Sequence, residues 1–311
     1  MKVMNFNKIN TVALTFLMLL SFNAISQQDE HSSLYMFNPL QYNPAYAGSR
    51  GDLSVTCVVR SQWVGIKGAP KSQFLSMNSP LKKKNMALGL HMSNDAIGSK
   101  NRTSFYGDYS YTLNFKHFRK LNLGVSGGGE QLSIDNTKLI ANDPTDVQYL
   151  ATFSQFKANA GVGLYYYTDR FFAGLSVPRL FESKLKNNSV LLNNSFSKRH
   201  YFLTAGYVFP LNSVIDLKTS VLLKVVPNAP LTADVNANLF FYKKFWIGGM
   251  YRLNESAGIN IAFQIKEKLM FGYSFDFVTN GLSRISNSGS HEVMLNYSLN
   301  PKKAFGSPRY F

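Results

Sequence analysis

Residues 102–115 read RTSFYGDYSYTLNF. Phe105, Gly107, Tyr109, Tyr111, Leu113 and Phe115 share one parity; Ser104, Asp108, Ser110, Thr112 and Asn114, with Tyr106, share the other. A period of two belongs to a strand, whose successive side chains point to opposite faces. The pattern recurs. In 231–241, Leu231, Ala233, Val235, Ala237, Leu239 and Phe241 alternate with Thr232, Asp234, Asn236, Asn238 and Phe240. In 269–277, Leu269, Phe271, Tyr273, Phe275 and Phe277 alternate with Met270, Gly272, Ser274 and Asp276, and in 292–299 Val293, Leu295, Tyr297 and Leu299 oppose Glu292, Met294, Asn296 and Ser298. None of these segments repeats its apolar residues at the three- and four-residue spacing of a helix.

A soluble β-sandwich also alternates. Two features select a transmembrane barrel instead. Many of the strands reach the ~9–11 residues that span a bilayer. One face is Gly, Ser, Asn and Thr with isolated charges, as a wet lumen requires, while the other carries the Phe, Tyr, Leu and Val that lipid demands. Composition agrees: 45% of the chain is apolar and 14% aromatic, and only 16% is charged, against about 25% in soluble chains. One cysteine excludes a disulfide scaffold, and the apolar content excludes disorder. Past the first two dozen residues no apolar run approaches the ~20 residues of a spanning helix.

The chain divides into four parts. Lys2 and Lys8, the apolar stretch TVALTFLMLLSF at 11–22, and Ala24-Ile25-Ser26 make residues 1–26 a secretory signal peptide cut before Gln27. Residues 27–52 form a periplasmic N-terminal segment, 53–300 the barrel, and 301–311 a periplasmic tail. About fourteen antiparallel strands are expected at 53–60, 71–79, 86–93, 102–115, 120–134, 155–167, 170–178, 198–209, 214–225, 231–242, 245–252, 257–266, 268–277 and 290–299. Short connections (81–85, 116–119, 168–169, 210–213, 243–244 and 267) alternate with mostly longer ones (61–70, 94–101, 135–154, 179–197, 226–230 and 278–289), the exception being 253–256. Barrels have short periplasmic turns and longer external loops.

Chemistry is hard to find. GLSVP at 174–178 is not a nucleophile elbow, and the five histidines lack metal-ligand spacing. Gly127-Gly128-Gly129 sits inside a strand pattern and marks a bulge or a close backbone approach rather than a phosphate cradle. Cys57 shares the apolar face with Leu53, Val55 and Val59. No catalytic residue, cofactor or metal is expected. Nine groups fall on polar faces: Asp108, Glu130, Lys157, His200, Asp216, Lys218, Asp234, Asp276 and Glu292. They brace the wall by pairing across the lumen, or some of them hold an inserted segment or select what passes. The chain is basic, with 33 Lys+Arg against 17 Asp+Glu. Its runs Lys82-Lys83-Lys84 and Lys243-Lys244 sit in turns, and an exported chain meets no nucleic acid there; solvent or an acidic periplasmic partner suits them better.

The segment before the barrel, LYMFNPLQYNPAYAGS at 34–49, has no alternation but many rings. Asn38-Pro39 and Asn43-Pro44 favour turns. Tyr35, Phe37, Tyr42 and Tyr46 are too many to leave in water, so the segment plugs the lumen or packs on a partner, the partner being the favoured host. Trp63, in the glycine-containing loop RSQWVGIKGAP at 60–70, is counted with it, although an interfacial belt also suits a Trp there.

YMFNPLQYNPAYAGS at 35–49, RSQWVG at 60–65 with GAP at 68–70, and NDAIG at 94–98 resemble the PorP/SprF family, as do GLSVPRLF at 174–181, HYFLTAGY at 200–207, DVNANLFF at 234–241 and GSHEVMLNY at 289–297. The resemblance runs from Tyr35 to Leu299. It implies a non-enzymatic barrel of the type IX secretion system in the Gram-negative outer membrane. Its partners would be outer-membrane lipid, other secretion components and cargo with a C-terminal sorting domain, including gliding-motility adhesins. The alternative is a porin or ligand transporter.

Overall fold

The computed structural model describes residues 31–81, 85–135, 137, 152–184, 195–227, 229–265, 268–279 and 288–299. The expected signal peptide at 1–26, the tail at 301–311 and the run Lys82-Lys83-Lys84 lie outside the described residues. Fourteen strands close into one antiparallel barrel. They are β1 (Ser54–Ser61), β2 (Lys71–Pro80), β3 (Met86–Ile97), β4 (Lys100–Asn114), β5 (Lys120–Asp135), β6 (Thr152–Tyr167) and β7 (Phe171–Val177), then β10 (Tyr201–Pro210), β11 (Ile215–Val225), β12 (Thr232–Phe241), β13 (Phe245–Arg252), β14 (Ser256–Ile265), β15 (Leu269–Val278) and β16 (Ser290–Ser298). A small hairpin, β8 (Ser183–Lys184) with β9 (Ser195–Ser197), stands apart in the connection from β7 to β10. Each strand pairs with its chain neighbour, and β1 pairs with β16 to close the seam.

The expected fourteen strands are all present, with most ends shifted by one to three residues. The larger departure is at 94–101, expected as a loop. There β3 and β4 stay paired out to Ile97 and Lys100, leaving only Gly98 and Ser99 as a turn. Asn94, Asp95, Arg102 and Thr103 continue the ladder with polar side chains, which water accepts beyond the bilayer. Gly98 supplies the left-handed backbone (φ +57°) such a tight turn needs. The glycine run produces no bulge: β5 stays in register with β4 and β6 through residues 127–129. It marks close approach. A Cβ at Gly128 would meet the Phe105 carbonyl oxygen at 2.0 Å, and one at Gly129 would meet the Phe156 ring at 2.3 Å.

Apolar residues of the outward parity are exposed in every barrel strand, among them Phe105, Val125, Phe156, Val235, Ile259, Phe277 and Leu295. Cys57 lies among them, exposed. This is the lipid-facing surface. The opposite face is not the wet lumen expected. Val58, Phe74, Phe202, Leu222, Phe240, Trp246, Met270 and Met294 point inward, fully or almost fully buried. Together with residues from the N-terminal segment they form the largest apolar cluster among the described residues. The core of this protein is therefore inside its barrel.

Leu295 faces outward midway along β16, opposite Cys57. Leu295→Arg is expected to destabilise the barrel by about 2–4 kcal/mol if it lies near the bilayer midplane, measured by urea unfolding in lipid vesicles. A loss below about 1 kcal/mol, the value near an interface, would place this residue outside the hydrocarbon.

Candidate functional site: a lumen occupied by the N-terminal segment

Residues 31–52 run the length of the lumen. Ser32, Ser33 and Leu34 lie beside Glu292 near the loop end of β16, and Asp52 bonds Ser298 at its turn end. Of the two hosts expected for this segment, the lumen and a partner, the lumen holds it, against the favoured partner. The barrel needs interior apolar and polar contacts, and these residues supply both. Two prolines shape the path. Pro39 and Pro44 each open a three-residue 3₁₀ turn, Pro39–Gln41 and Pro44–Tyr46, after a first turn at Tyr35–Phe37. A proline there loses nothing, because the first N–H groups of a helical turn have no internal partner. Asn43 caps the third turn, its Oδ1 accepting from the Ala45 amide at 2.9 Å.

A segment this irregular leaves many backbone groups to satisfy. The small polar residues of the lumen wall do so. Ser176 donates to the Tyr42 carbonyl at 2.7 Å, Asn122 to Ala45 at 2.9 Å and Ser110 to Ala47 at 2.8 Å. The Gly48 amide donates to Asn78 Oδ1 at 3.1 Å. The wall's Ser76 also donates to Asn38 Oδ1 at 2.5 Å, while in the other direction Asn43 Nδ2 donates to the Leu164 carbonyl at 2.9 Å. Strands β2, β4, β5, β6 and β7 thus each hold part of the segment.

Rings do the rest. Phe37 meets Trp246 edge-on at 6.2 Å, and Trp246 stacks on Phe240 at 4.2 Å. Tyr42 packs on Phe202, and Tyr46 meets Tyr165 edge-on at 5.4 Å. The Tyr35 hydroxyl lies 3.3 Å from Ser220 Oγ. Full burial of such a side chain contributes roughly 1.5–3 kcal/mol. Three glycines of the wall make room for residues 43–45. A Cβ at Gly124 would lie 2.1 Å from the Ala45 nitrogen, one at Gly163 2.1 Å from Asn43 Oδ1, and one at Gly174 2.8 Å from Asn43 Nδ2.

The loop-end anchor is ionic. Glu292 accepts from Ser32 Oγ at 2.5 Å and from the amides of Ser33 and Leu34 at 2.8 and 3.1 Å. Asp276 accepts from Ser33 Oγ at 2.5 Å. Arg60, fully buried, bridges both carboxylates at 2.7 Å to Asp276 and 2.8 Å to Glu292. The side chain of His31 meets Lys224 Nζ at 2.8 Å.

The other polar-face groups have different settings. Asp234 takes a forked pair of bonds from Arg252, at 2.9 Å from Nε and 2.8 Å from Nη2. Asp108 sits 2.9 Å from His91 Nδ1, and Glu130 2.9 Å from Arg179, with Lys157 across the ladder from Glu130. His200 Nδ1 donates to the Lys198 carbonyl at 2.9 Å. Lys218 is buried over the Phe172 ring, 5.4 Å from its centre. Asp216 is half-buried at the start of β11. Of the nine, Asp276 and Glu292 touch the inserted segment through these bonds, while Asp108, Glu130 and Asp234 bond to neighbours on the barrel or its loops.

Trp63 belongs elsewhere. It lies half-buried in the loop after β1, its amide donating to Ser290 Oγ at 3.2 Å. Sequence reasoning missed Arg60, Arg252, Ser32 and Ser33. Arg60 shares the parity of Val58 and Arg252 that of Met250, so the alternation that found the acids could have found their partners.

Three comparisons place the chain among known proteins. A family model described as "Type IX secretion system membrane protein PorP/SprF" matches residues 24–297. No curated protein matches the chain. Among solved structures, the CymD monoaromatic hydrocarbon channel is 12% identical with a TM-score of 0.49, covering 88% of this chain and 94% of its own. Acinetobacter baumannii Omp33 is 9% identical with a TM-score of 0.45, covering 79% and 96%. The KdgM porin in complex with disordered oligogalacturonate is 10% identical with a TM-score of 0.40, covering 79% and 99%.

Two substitutions check how the segment is held. Gly124→Ala drives a methyl into the Ala45 backbone and should cost about 1–3 kcal/mol, the usual cost of overpacking. Glu292→Ala strips an acceptor from Arg60 and from the amides of residues 33 and 34. Its expected cost is about 3–5 kcal/mol, read by unfolding in vesicles alongside faster proteolysis of residues 31–49. Wild-type behaviour of both variants would mean that the segment is not anchored at these points.

Proposed function

We propose that this chain, which belongs to the PorP/SprF family of type IX secretion system membrane proteins, is a non-enzymatic outer-membrane component of that system that docks its partners and does not conduct them. It supports secretion or surface attachment of large cargo proteins, such as gliding-motility adhesins. It does so by holding cargo sorting domains or other secretion components against its exposed surfaces. The single observation behind this reading is the occupancy of the lumen by residues 31–52. A route through the barrel would require breaking the Glu292–Arg60–Asp276 anchor and stripping buried rings from the wall. A passive porin needs no such filling, and a plug fixed at both ends of the lumen works against diffusion.

Two measurements test this. Purified full-length protein in planar bilayers should show little or no conductance, and deletion of residues 34–49 should raise it. Deletion of the gene, followed by mass spectrometry of the culture medium and cell surface, should remove one or a few large proteins while leaving small-solute uptake unchanged. A steady open-channel conductance of the intact protein, with an unaltered secretome on deletion, would replace this reading by the porin one.

A further inference from the structure

The end of the barrel that carries the short turns is bordered by cations. Lys116, Arg119, Arg170, Lys243, Lys244 and Lys268 are all exposed there, and Asp169 is the one exposed acid in these turns among the described residues. The cations begin where the apolar outer surface stops. Phe115 precedes Lys116, Phe171 follows Arg170, Phe245 follows Lys244 and Leu269 follows Lys268. Phe115, Phe171 and Phe245 are exposed on the lipid side. The step from hydrocarbon-facing ring to charge therefore takes one residue at three turns, and Leu269 beside Lys268 makes a similar step at a fourth.

Two of these turns carry an unusual second feature. Phe118 and Tyr242 are about three-quarters exposed, at 77% and 74%. Both sit on left-handed backbone, with φ of 56° and 49°, beside His117 and Lys243 in the same conformation. Tight hairpins normally place Asn or Gly at such positions, because a larger residue is strained there. A bulky ring that is both strained and exposed does not help the fold. The two turns join β4 to β5 and β12 to β13, nearly opposite one another around the barrel.

We infer that this rim binds the anionic phospholipid headgroups of the periplasmic leaflet, with the Lys and Arg side chains pairing to phosphate and Phe118 and Tyr242 seated at the headgroup level. Short turns of outer-membrane barrels face the periplasm. Aromatic rings favour the membrane–water interface, and clustered cations favour anionic lipid. The distribution favours lipid over an acidic protein. The charges fall in two pairs of neighbouring turns on nearly opposite arcs of the barrel, each within a residue of its apolar surface, whereas a single protein partner would meet a patch on one side.

The test uses the full-length protein reconstituted in phosphatidylethanolamine containing about one quarter phosphatidylglycerol. The lipid retained after brief extraction in neutral detergent is identified by mass spectrometry. Wild type should retain phosphatidylglycerol enriched about threefold or more over the bulk, and the enrichment should vanish in about 1 M salt, where the screening length is about 3 Å. The K116Q/R119Q/K243Q/K244Q variant should retain lipid at the bulk ratio, and K116R/K243R/K244R should behave as wild type. Heat-modifiable migration on gels confirms that each variant is folded. Phe118→Gly combined with Tyr242→Gly should hold or raise thermal stability in detergent, because the backbone strain is relieved, while reducing the enrichment. Wild type at the bulk ratio, or enrichment undiminished in the glutamine variant, would overturn the inference. Salt-sensitive capture of an acidic periplasmic protein by wild type showing no lipid enrichment would overturn it in favour of a protein partner.

Discussion

In a membrane barrel the outer face of every strand belongs to lipid, so any core must form on the inner face. That constraint governs the rest of this structure. Fourteen strands each present one row of side chains inward, and these rows must be solvated or covered. Here they are covered, because Trp246, Phe240, Met294 and Val58 are apolar and the serines and asparagines between them need partners. Residues 31–52 meet both demands, with rings for the apolar positions and backbone groups for the polar ones. The three wall glycines beside Asn43 and Ala45 are the complementary adjustment, since side chains there would collide with the segment.

The barrel was legible in the sequence because lipid imposes a strict alternation, and a one-residue slip would turn every greasy side chain inward. Strand ends were less legible. Beyond the bilayer the outer face no longer has to be apolar, so β3 and β4 extend through Asn94, Asp95 and Arg102 without the signal that identified their lower halves. The place of the N-terminal segment was half legible. Its rings announced burial but not where. The deciding signal lay in other strands, as inward-parity Val58, Phe74, Phe202, Leu222 and Trp246, which a wet lumen would not carry. Reading those positions together, and not strand by strand, predicts an apolar filling.

The same separation applies to the charged groups. Parity assigns Asp276 and Glu292 to the interior, but partners come from elsewhere in the chain: Arg60 is more than two hundred residues away in sequence. A close pair of carboxylates with one guanidinium is short of positive charge. The hydroxyls of Ser32 and Ser33 and two backbone amides complete it. The anchor is thus incomplete without the inserted segment, and residues 32–34 are held by it. Family membership brings the secretion system into view. The filled interior then narrows the part the barrel can play there, since contacts at its rims and surfaces remain available while its centre is taken.

Arg60 and Glu292 are also direct partners across the β1–β16 seam, which is further stitched where Asn296 donates to Ser54 and Thr56 and Ser298 bonds Asp52. The chain's first strand and its last are therefore joined by the same groups that grip residues 32–34. A nascent chain has no Glu292 until synthesis is nearly complete, so the grip can form only when the final strand arrives. The segment must already lie within the curved sheet at that moment, because a path bound to strands all round the barrel leaves no room for threading afterwards. Closing the cylinder and capturing its contents become one cooperative event, and a chain truncated before β16 forfeits both together.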